Sequence, residues 1–582
     1  MKEKTAYNKR FILVLAVTLL ISVFFYFQFI VPYHVFFKEQ IQLFIFHSTY
    51  VLSYFSKPGA LACLTGDFLT QFFYLKGGGS VVISLLFVFQ WLMIVLILNS
   101  FDLRRLAPVW AFIPVFAEWV VFSGINFSVA MSVSFFLILF AIFVYTRIIN
   151  KSLSLVYGLL SVPFLYMLLG STMFLLPVAI MLFEIRCGKK RYIYWLILIA
   201  LAVIIPFLLR SYYLITFNQA YLYPHLDIRH KISSLLMILI LFFANMEVIN
   251  KLRVTALSLS FILFFVFISG VVVLIAKTDF KQEKILGMAT EAYFENWDKV
   301  LKISEKTKLE STIAAYYTNI ALSKKMQLGD RMMEFYQPFT SGLFLPVNQE
   351  SNWFTIFFSS DIFYYIGDLN MAQHSAMLGM IFSPYQRSSR LIQRLAEINI
   401  IAGDTAAAIK YIKMLESSAF HSDKAVELKK MALSTDSEEL PSLKHKRSQI
   451  HKSDTLRTSE NLLLSLELLL YDNHGNHAAL DYLLSYHLMN KDIPGFFNAY
   501  SSYCKGKTNY VPKVYAEALL IYFAASNSQP EKIMEFNISP KFVKDFNDYT
   551  QLYESSNGNL EVLQGKFPDT YWLFYHFATR LN

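Results

Sequence analysis

Two carboxylates, Glu39 and Asp67, are the residues whose placement can carry chemistry. Glu39 lies in "FFKEQIQLFIFH" (residues 36–47), where Lys38, Glu39 and two glutamines interrupt a strongly apolar stretch; Asp67 lies in "CLTGDFLTQFFY" (residues 63–74). A carboxylate at a membrane edge can take a proton from a hydroxyl as a general base, or help hold a divalent cation. Arg210 and Arg229, in a later loop, are cations suited to a phosphate. The plainer alternative is that Glu39 pairs with Lys38 or interfacial water, and that Asp67 sits on a solvated helix face. Glu118 lies inside an apolar run, where an ionisable group is either functional or close to the run's outer end. His225, Asp227 and His230 share one loop without a fourth ligand, which reads as surface chemistry and assigns no metal site. The tyrosines of the same loop suit an interfacial aromatic belt.

The elements that must position these groups are membrane helices. The 582 residues are 55% hydrophobic and 17% aromatic, too apolar for an ordinary soluble protein. Apolar runs near 11–31, 80–99, 108–124, 127–146, 153–169, 171–185, 192–209, 232–249 and 254–276 give about nine expected spans. The first could be a signal peptide after Lys9 and Arg10, but its length and the lack of a small-residue cleavage site favour an anchor. Residues 1–276 hold 20 Lys/Arg against 8 Asp/Glu, so the overall +10 is a membrane-flanking signal and gives no nucleic-acid footprint. Basic clusters precede the first span (Lys2, Lys4, Lys9, Arg10) and follow each even one: Arg104 and Arg105, Arg147 and Lys151, Arg186 to Arg191, Lys251 and Arg253. That pattern expects a cytoplasmic N-terminus, an inner-membrane location and an extracytoplasmic, periplasmic C-terminal half. Three cysteines, Cys63, Cys187 and Cys504, exclude a disulfide framework and lack metal-ligand spacing, so no zinc, haem or redox reading survives.

Loop 32–79 is expected to hold two amphipathic helices on the outer membrane surface, joined near Pro58-Gly59. Lys38, Glu39 and Gln42 would share a face continued by Thr49 and Ser53. Leu61, Leu64, Phe68, Phe72 and Leu75 would form an apolar stripe opposite Asp67, Gln71 and Tyr74. From residue 278 onward the pattern becomes that of stacked helix hairpins. Gly-Asp pairs at 329–330, 367–368 and 403–404 recur in "MQLGDRMMEFY", "YYIGDLNMAQHSAMLG" and "IIAGDTAAAIKYIKML". The glycine would end one helix and the aspartate cap the next. "FENWDKVLKI" and "LMNKDIPGFFNAY" look like further copies. These repeats resemble tetratricopeptide-type units, whose concave stacks bind protein segments. Residues 421–458 interrupt them and are expected to be an exposed, mobile insertion.

The fold class expected is therefore all-α: a polytopic transmembrane bundle (1–277), then a tetratricopeptide-like helical repeat domain (278–582). Through "KEQIQLF", "SKPGALACLTGDFLTQFFY", "YYIGDLNMAQ" and "RLAEINIIAGDTAAAIKYIKML", most of the chain resembles an uncharacterised family of multi-pass membrane proteins from Bacteroidetes. That resemblance implies a cell-envelope protein and brings no established activity. The membrane half also resembles, in topology, the GT-C glycosyltransferases, which place an acidic residue in a long external loop after the first span. No DxD or WWDYG-like signature is present. That likeness implies transfer of a sugar from a polyprenyl-phosphate-linked donor, with Glu39 or Asp67 as base or cation ligand and Arg210 or Arg229 on the lipid phosphate. The other reading is a non-catalytic, bilayer-anchored scaffold for envelope assembly. Transport ranks third, because the spans carry few charges and show no inverted repeat.

Overall fold

The computed structural model describes residues 9–103, 106–224, 227–246, 256–348, 351–434, 441–451, 461–506, 510–526 and 535–579. Among them the secondary structure is helical, with no strand. The chain divides into two compact units, Met1–Phe280 with Ser417–Ser422, and Lys281–Glu416 with Asp423–Asn582.

In the first unit each of the nine apolar runs contains a helix among the described residues. These helices are α1 (Lys9–Phe25, prolonged by a π turn to Ile30), α5 (Gly78–Ser100), α6 (Ala107–Phe122), α7 (Val129–Arg147), α8 (Lys151–Leu169), α9 (Leu175–Arg186), α10 (Tyr192–Tyr213), α12 (Ile232–Ala244) and α13 (Ala256–Lys277). Between them lie α2 (Pro32–Gln40), α3 (Ser48–Ser53), α4 (Ala60–Thr70) and α11 (Phe217–Leu222). Among the described residues six helical segments are long and apolar enough to cross a membrane, with 151–186 taken as one; α6 and α12 are shorter. The basic residues Lys2, Lys4, Arg104, Arg105, Lys251 and Arg253 lie outside the described residues.

Segment 151–186 is not one rod. Gly170, at φ +67°, breaks it, and a single guanidinium nitrogen of Arg191 donates to both Ser154 Oγ (3.1 Å) and Glu184 Oε1 (3.0 Å). A continuous helix would hold those two positions about 45 Å apart at 1.5 Å per residue, so α9 folds back along α8. Two ends of the bundle can then be told apart. At one, Tyr145 and Trp195 donate to Glu184, and Ser100 meets Thr146. At the other, Tyr26 meets Thr278, Ser80 donates to Gln28, and Tyr166 donates to the Ala220 carbonyl. Successive apolar helices alternate in direction between these ends.

Large apolar side chains on the flanks of α1, α8, α10 and α13, among them Leu13, Leu160, Phe164, Leu196 and Phe265, face outward. A surface of that kind fits a hydrocarbon surround. Inside the bundle, Gln90 Nε2 donates to Glu118 Oε1 (3.1 Å) and to Ser132 Oγ (2.9 Å). Glu118 therefore sits at the buried face of α6 against α5 and α7.

The second unit is a series of helix hairpins. At 367–368 and 403–404 the expected device is present: Gly367 and Gly403 take φ of +94° and +81°, and Asp368 and Asp404 cap the next helices by accepting from Met371 and Ala407 N–H. At 491–492 Lys491 takes the left-handed position and Asp492 caps Gly495. The first Gly-Asp pair departs from the pattern. Met326 makes the left-handed turn there, while Asp330 Oδ1 accepts from Tyr510 and from Lys513 N–H. Segment 421–458 also departs from an exposed excursion. Ser422–Leu433 and Pro441–Gln449 are helices, and Leu428, Leu443 and His421 are buried. Residues 435–440 and 452–460 lie outside the described residues.

Candidate active site at the loop 32–79 cleft

Loop 32–79 is built differently from two long surface helices. α2 stops at Gln40, residues 43–47 have no regular secondary structure, and the chain becomes helical again only at Ser48. The interruption has a partner: Phe46 N–H donates to the Ser417 carbonyl at 2.7 Å. α4 begins after Gly59, whose φ of +80° needs no Cβ. The face α4 buries most fully is the small-residue one, Ala62, Gly66 and Thr70, while Leu61 and Leu64 are half-buried. A Cβ on Gly66 would stand 2.5 Å from the Ala130 backbone, so α4 lies directly on the start of α7. Phe68 and Phe72 instead meet Phe44, Phe46 and Phe420 in edge-to-face contacts.

This packing brings both sequence-predicted acids to one cleft, lined by Glu39, Gln42, Asp67 and Gln71 and closed by Ser418 to His421. Glu39 is 4% exposed, so it is not an interfacial charge in water. Its Oε1 lies 2.6 Å from His421 Nε2, and the imidazole packs edge-on against Tyr74. Asp67 is half-buried, and its Oδ2 accepts from the Tyr54 hydroxyl at 2.6 Å, itself 2.6 Å from Tyr50 OH. Burial, and then the Asp67 charge, push the Tyr54 phenol well above its usual range. Tyr54 is thus a fixed donor to Asp67.

Lys38 is buried beside them, its ammonium 4.8 Å from the Phe127 ring centre. Desolvation pulls its pKa down to about 7, with Asp67 opposing the shift. Gln42 Oε1 and both polar atoms of the Gln71 amide are buried with no hydrogen-bond partner among the described residues. The free space of the cleft is about 10 Å³, the size of a single water. The arrangement can pass a proton between Glu39 and His421 and can present hydrogen bonds from Gln42 and Gln71 to a small polar group. Among the described residues no three His, Cys, Asp or Glu side chains gather as a metal site. A divalent cation here would have Glu39 and Asp67 as its carboxylates.

Arg210 and Arg229 do not line this cleft. Arg210 lies over Phe207 of its own helix, and Arg229 is exposed and bound to Asp227 at 2.5 Å. In that loop Lys231 is half-buried: its ammonium meets the Ser171 hydroxyl, and desolvation lowers its pKa to about 8. Of the histidines considered beside Asp227, His225 and the side chain of His230 lie outside the described residues.

His421 was missed by sequence reasoning. Its one signal is that "FHSD" opens the break in the repeat pattern, and nothing local pairs it with Glu39. Lys38 was legible only as the neighbour of Glu39, and Tyr54, 13 positions from Asp67, was missed as well. No curated protein and no solved structure matches the chain. A family model described as a family of unknown function (DUF6057) matches residues 6–578, and the chain belongs to that family.

Proposed function

We propose that the protein is a polytopic membrane transferase of the cell envelope, moving a sugar or related group from a lipid carrier at the outer membrane face. The observation that carries this reading is the convergence of Glu39, His421 and Asp67 in one cleft, where a buried carboxylate–imidazole pair at 2.6 Å can act as acid and base. In the reaction, the acceptor hydroxyl gives its proton to the Glu39–His421 pair as its oxygen bonds the transferred carbon. The bond from that carbon to the carrier phosphate breaks, and the phosphate leaves with the electron pair. Asp67, held by Tyr54, would position the acceptor or share a divalent cation with Glu39. Lys38, buried near Asp67, would meet the carrier phosphate better than Arg229, which is exposed and already bound to Asp227.

The topology in this proposal has nine crossings. The Glu184 end carries Arg147, Arg186 and Arg191 and would face the cytoplasm; the Glu39 end would face the periplasm. The second unit, with its tetratricopeptide-like hairpins, would then hold an acceptor or a protein partner. Deletion of the gene tests the reading. Accumulation of a polyprenyl-phosphate-linked donor, seen by mass spectrometry of extracted lipids, is the expected result, and an unchanged lipid-linked pool speaks against it.

A scaffold role is the second reading. It is favoured by one observation: Ser418 to His421 fill the cleft down to the volume of about one water. On that reading Glu39–His421 is a clasp, whereas the transferase reading requires Ser418 to Phe420 to yield to substrate while His421 stays on Glu39.

A further inference from the structure

The second unit holds a larger cavity, of about 110 Å³, where about 10–15 Å³ suffices for one water. It lies among the helices Trp297–Thr307, Thr312–Lys324, Ser360–Ile366, Ser389–Ala402 and Pro441–Gln449. Four cations reach it. Two are already neutralised: Arg390 and Arg394 bind Asp361 at 2.6 and 3.1 Å, and Arg394 also binds Glu397 at 3.1 Å. Lys324 and Lys446 are different. Among the described residues neither ammonium has a carboxylate within 4.0 Å. Lys446 donates to the Tyr364 carbonyl at 3.4 Å, and Lys324 makes ring contacts alone.

Aromatic rings hold these two ammoniums in place: Lys324 lies 4.0 Å from the Tyr365 ring centre and 5.7 Å from that of Trp297, and Lys446 lies 4.4 Å from that of Tyr364. Rings of this kind steady a cation without neutralising it. We propose that this cavity is a binding site for a small phosphate-bearing ligand, whose oxyanion sits between Lys324 and Lys446. Two unpaired ammoniums match a phosphate group better than a singly charged carboxylate. The cavity is also too small for a folded partner.

The groups facing Lys446 agree with this assignment. Burial, and then the charges of Lys324 and Arg394, push it down to about 7; Glu397 and Glu295 pull the other way without reaching ion-pair distance. Lys324 is lowered by burial too, against Glu295. An anion between the two lysines would remove the mutual repulsion.

The test uses the purified full chain in detergent, titrated calorimetrically with inorganic phosphate and with sodium chloride at matched ionic strength. Saturable phosphate binding that weakens at least tenfold in Lys324→Gln/Lys446→Gln, but is unchanged in the distant surface variant Lys544→Gln, supports the site. Lys446→Arg, which keeps the charge, should retain binding within a few-fold and so separates loss of charge from loss of fold. Binding equal in wild type and the double variant, or no binding beyond that of chloride, overturns the proposal. Glucose 1-phosphate and a short-chain phosphatidate then distinguish sources. Tighter binding of the first assigns a soluble sugar phosphate, and tighter binding of the second assigns a lipid headgroup.

Discussion

Glu39 Oε1 and His421 Nε2 lie 2.6 Å apart although 382 positions separate them, and both side chains are about 5% exposed. A contact of this span is made only once the fold has brought its two segments together, and removing either partner leaves a buried polar group behind. His421→Ala is expected to lower stability by roughly 1–3 kcal/mol, as is Glu39→Ala. The double variant should cost less than the sum of the two. A double-mutant cycle in detergent checks this, with a coupling of about 0.5–3 kcal/mol expected. Strict additivity would mean that the pair does not interact in solution.

Gly66→Ala should harm the site without touching its chemistry. The added methyl meets the backbone of Ala130 at 2.5 Å, which cannot yield as a flexible side chain does. α4 must shift off α7, and it carries Asp67. A loss of about 1–3 kcal/mol is expected, read as a lower melting temperature, whereas the neighbouring Thr65→Ala should change little.

Inside the bundle, Gln90→Leu should be worse than Glu118→Gln. The leucine removes the amide that donates to Glu118 Oε1, to Ser132 Oγ and to the Ser132 carbonyl at once. A penalty of roughly 1–3 kcal/mol is expected for the stranded acid, while glutamine at 118 can still accept from Gln90. Comparing the thermal unfolding of the two variants decides it.

The repeat unit offers a pH test. Burial, and then the charges of Lys324 and Arg394, lower the Lys446 pKa to about 7, so its charge should be full below that pH and lost as the pH rises through it. Anion affinity should therefore be full at about pH 6 and fall as the pH rises through about 7 toward about 8.5. Sulfate, whose charge is constant over this window, is the ligand to titrate. Affinity that is flat with pH would remove Lys446 from the site.

The caps can be ranked as well. Asp404→Ala removes the acceptor of Ala407 N–H at the start of Thr405–Glu416 and is expected to cost about 0.5–2 kcal/mol. Asp330→Ala releases Tyr510 and Lys513 in place of a cap. Its effect should appear as faster amide exchange around Lys513.

Much of this architecture was legible because it is local. A run such as 80–99 or 192–209 is apolar all round and can only be helix in a membrane setting, and the Gly-Asp turns at 367 and 403 use backbone chemistry carried by two adjacent residues. What was not legible is non-local. The helix through Lys38 and Glu39 stops at Gln40, and Phe46 N–H then bonds the Ser417 carbonyl, a contact that no periodicity near Glu39 announces. The seat of α4 on α7 was not legible because small residues, Ala62 and Gly66, which give weak hydrophobic signals, make its closest packing. Position 329 looked like its two successors, but Met326 had already supplied the left-handed turn. Glu39 was found by its awkwardness in apolar sequence and Asp67 by its place on a polar helix face, while His421, unremarkable where it stands, was not found.

The central claim is that Glu39 acts chemically, and one comparison reaches it most directly. A strain lacking the gene is complemented with wild type or with Glu39→Gln, protein levels and melting temperatures are matched, and lipid-linked sugars are extracted and measured. Glu39→Gln keeps the shape and a hydrogen bond to His421 but cannot take a proton. The account predicts that it leaves the donor accumulated as the deletion does. A Glu39→Gln strain with a lipid-linked pool restored to the wild-type level would contradict it and leave the Glu39–His421 pair as a structural clasp.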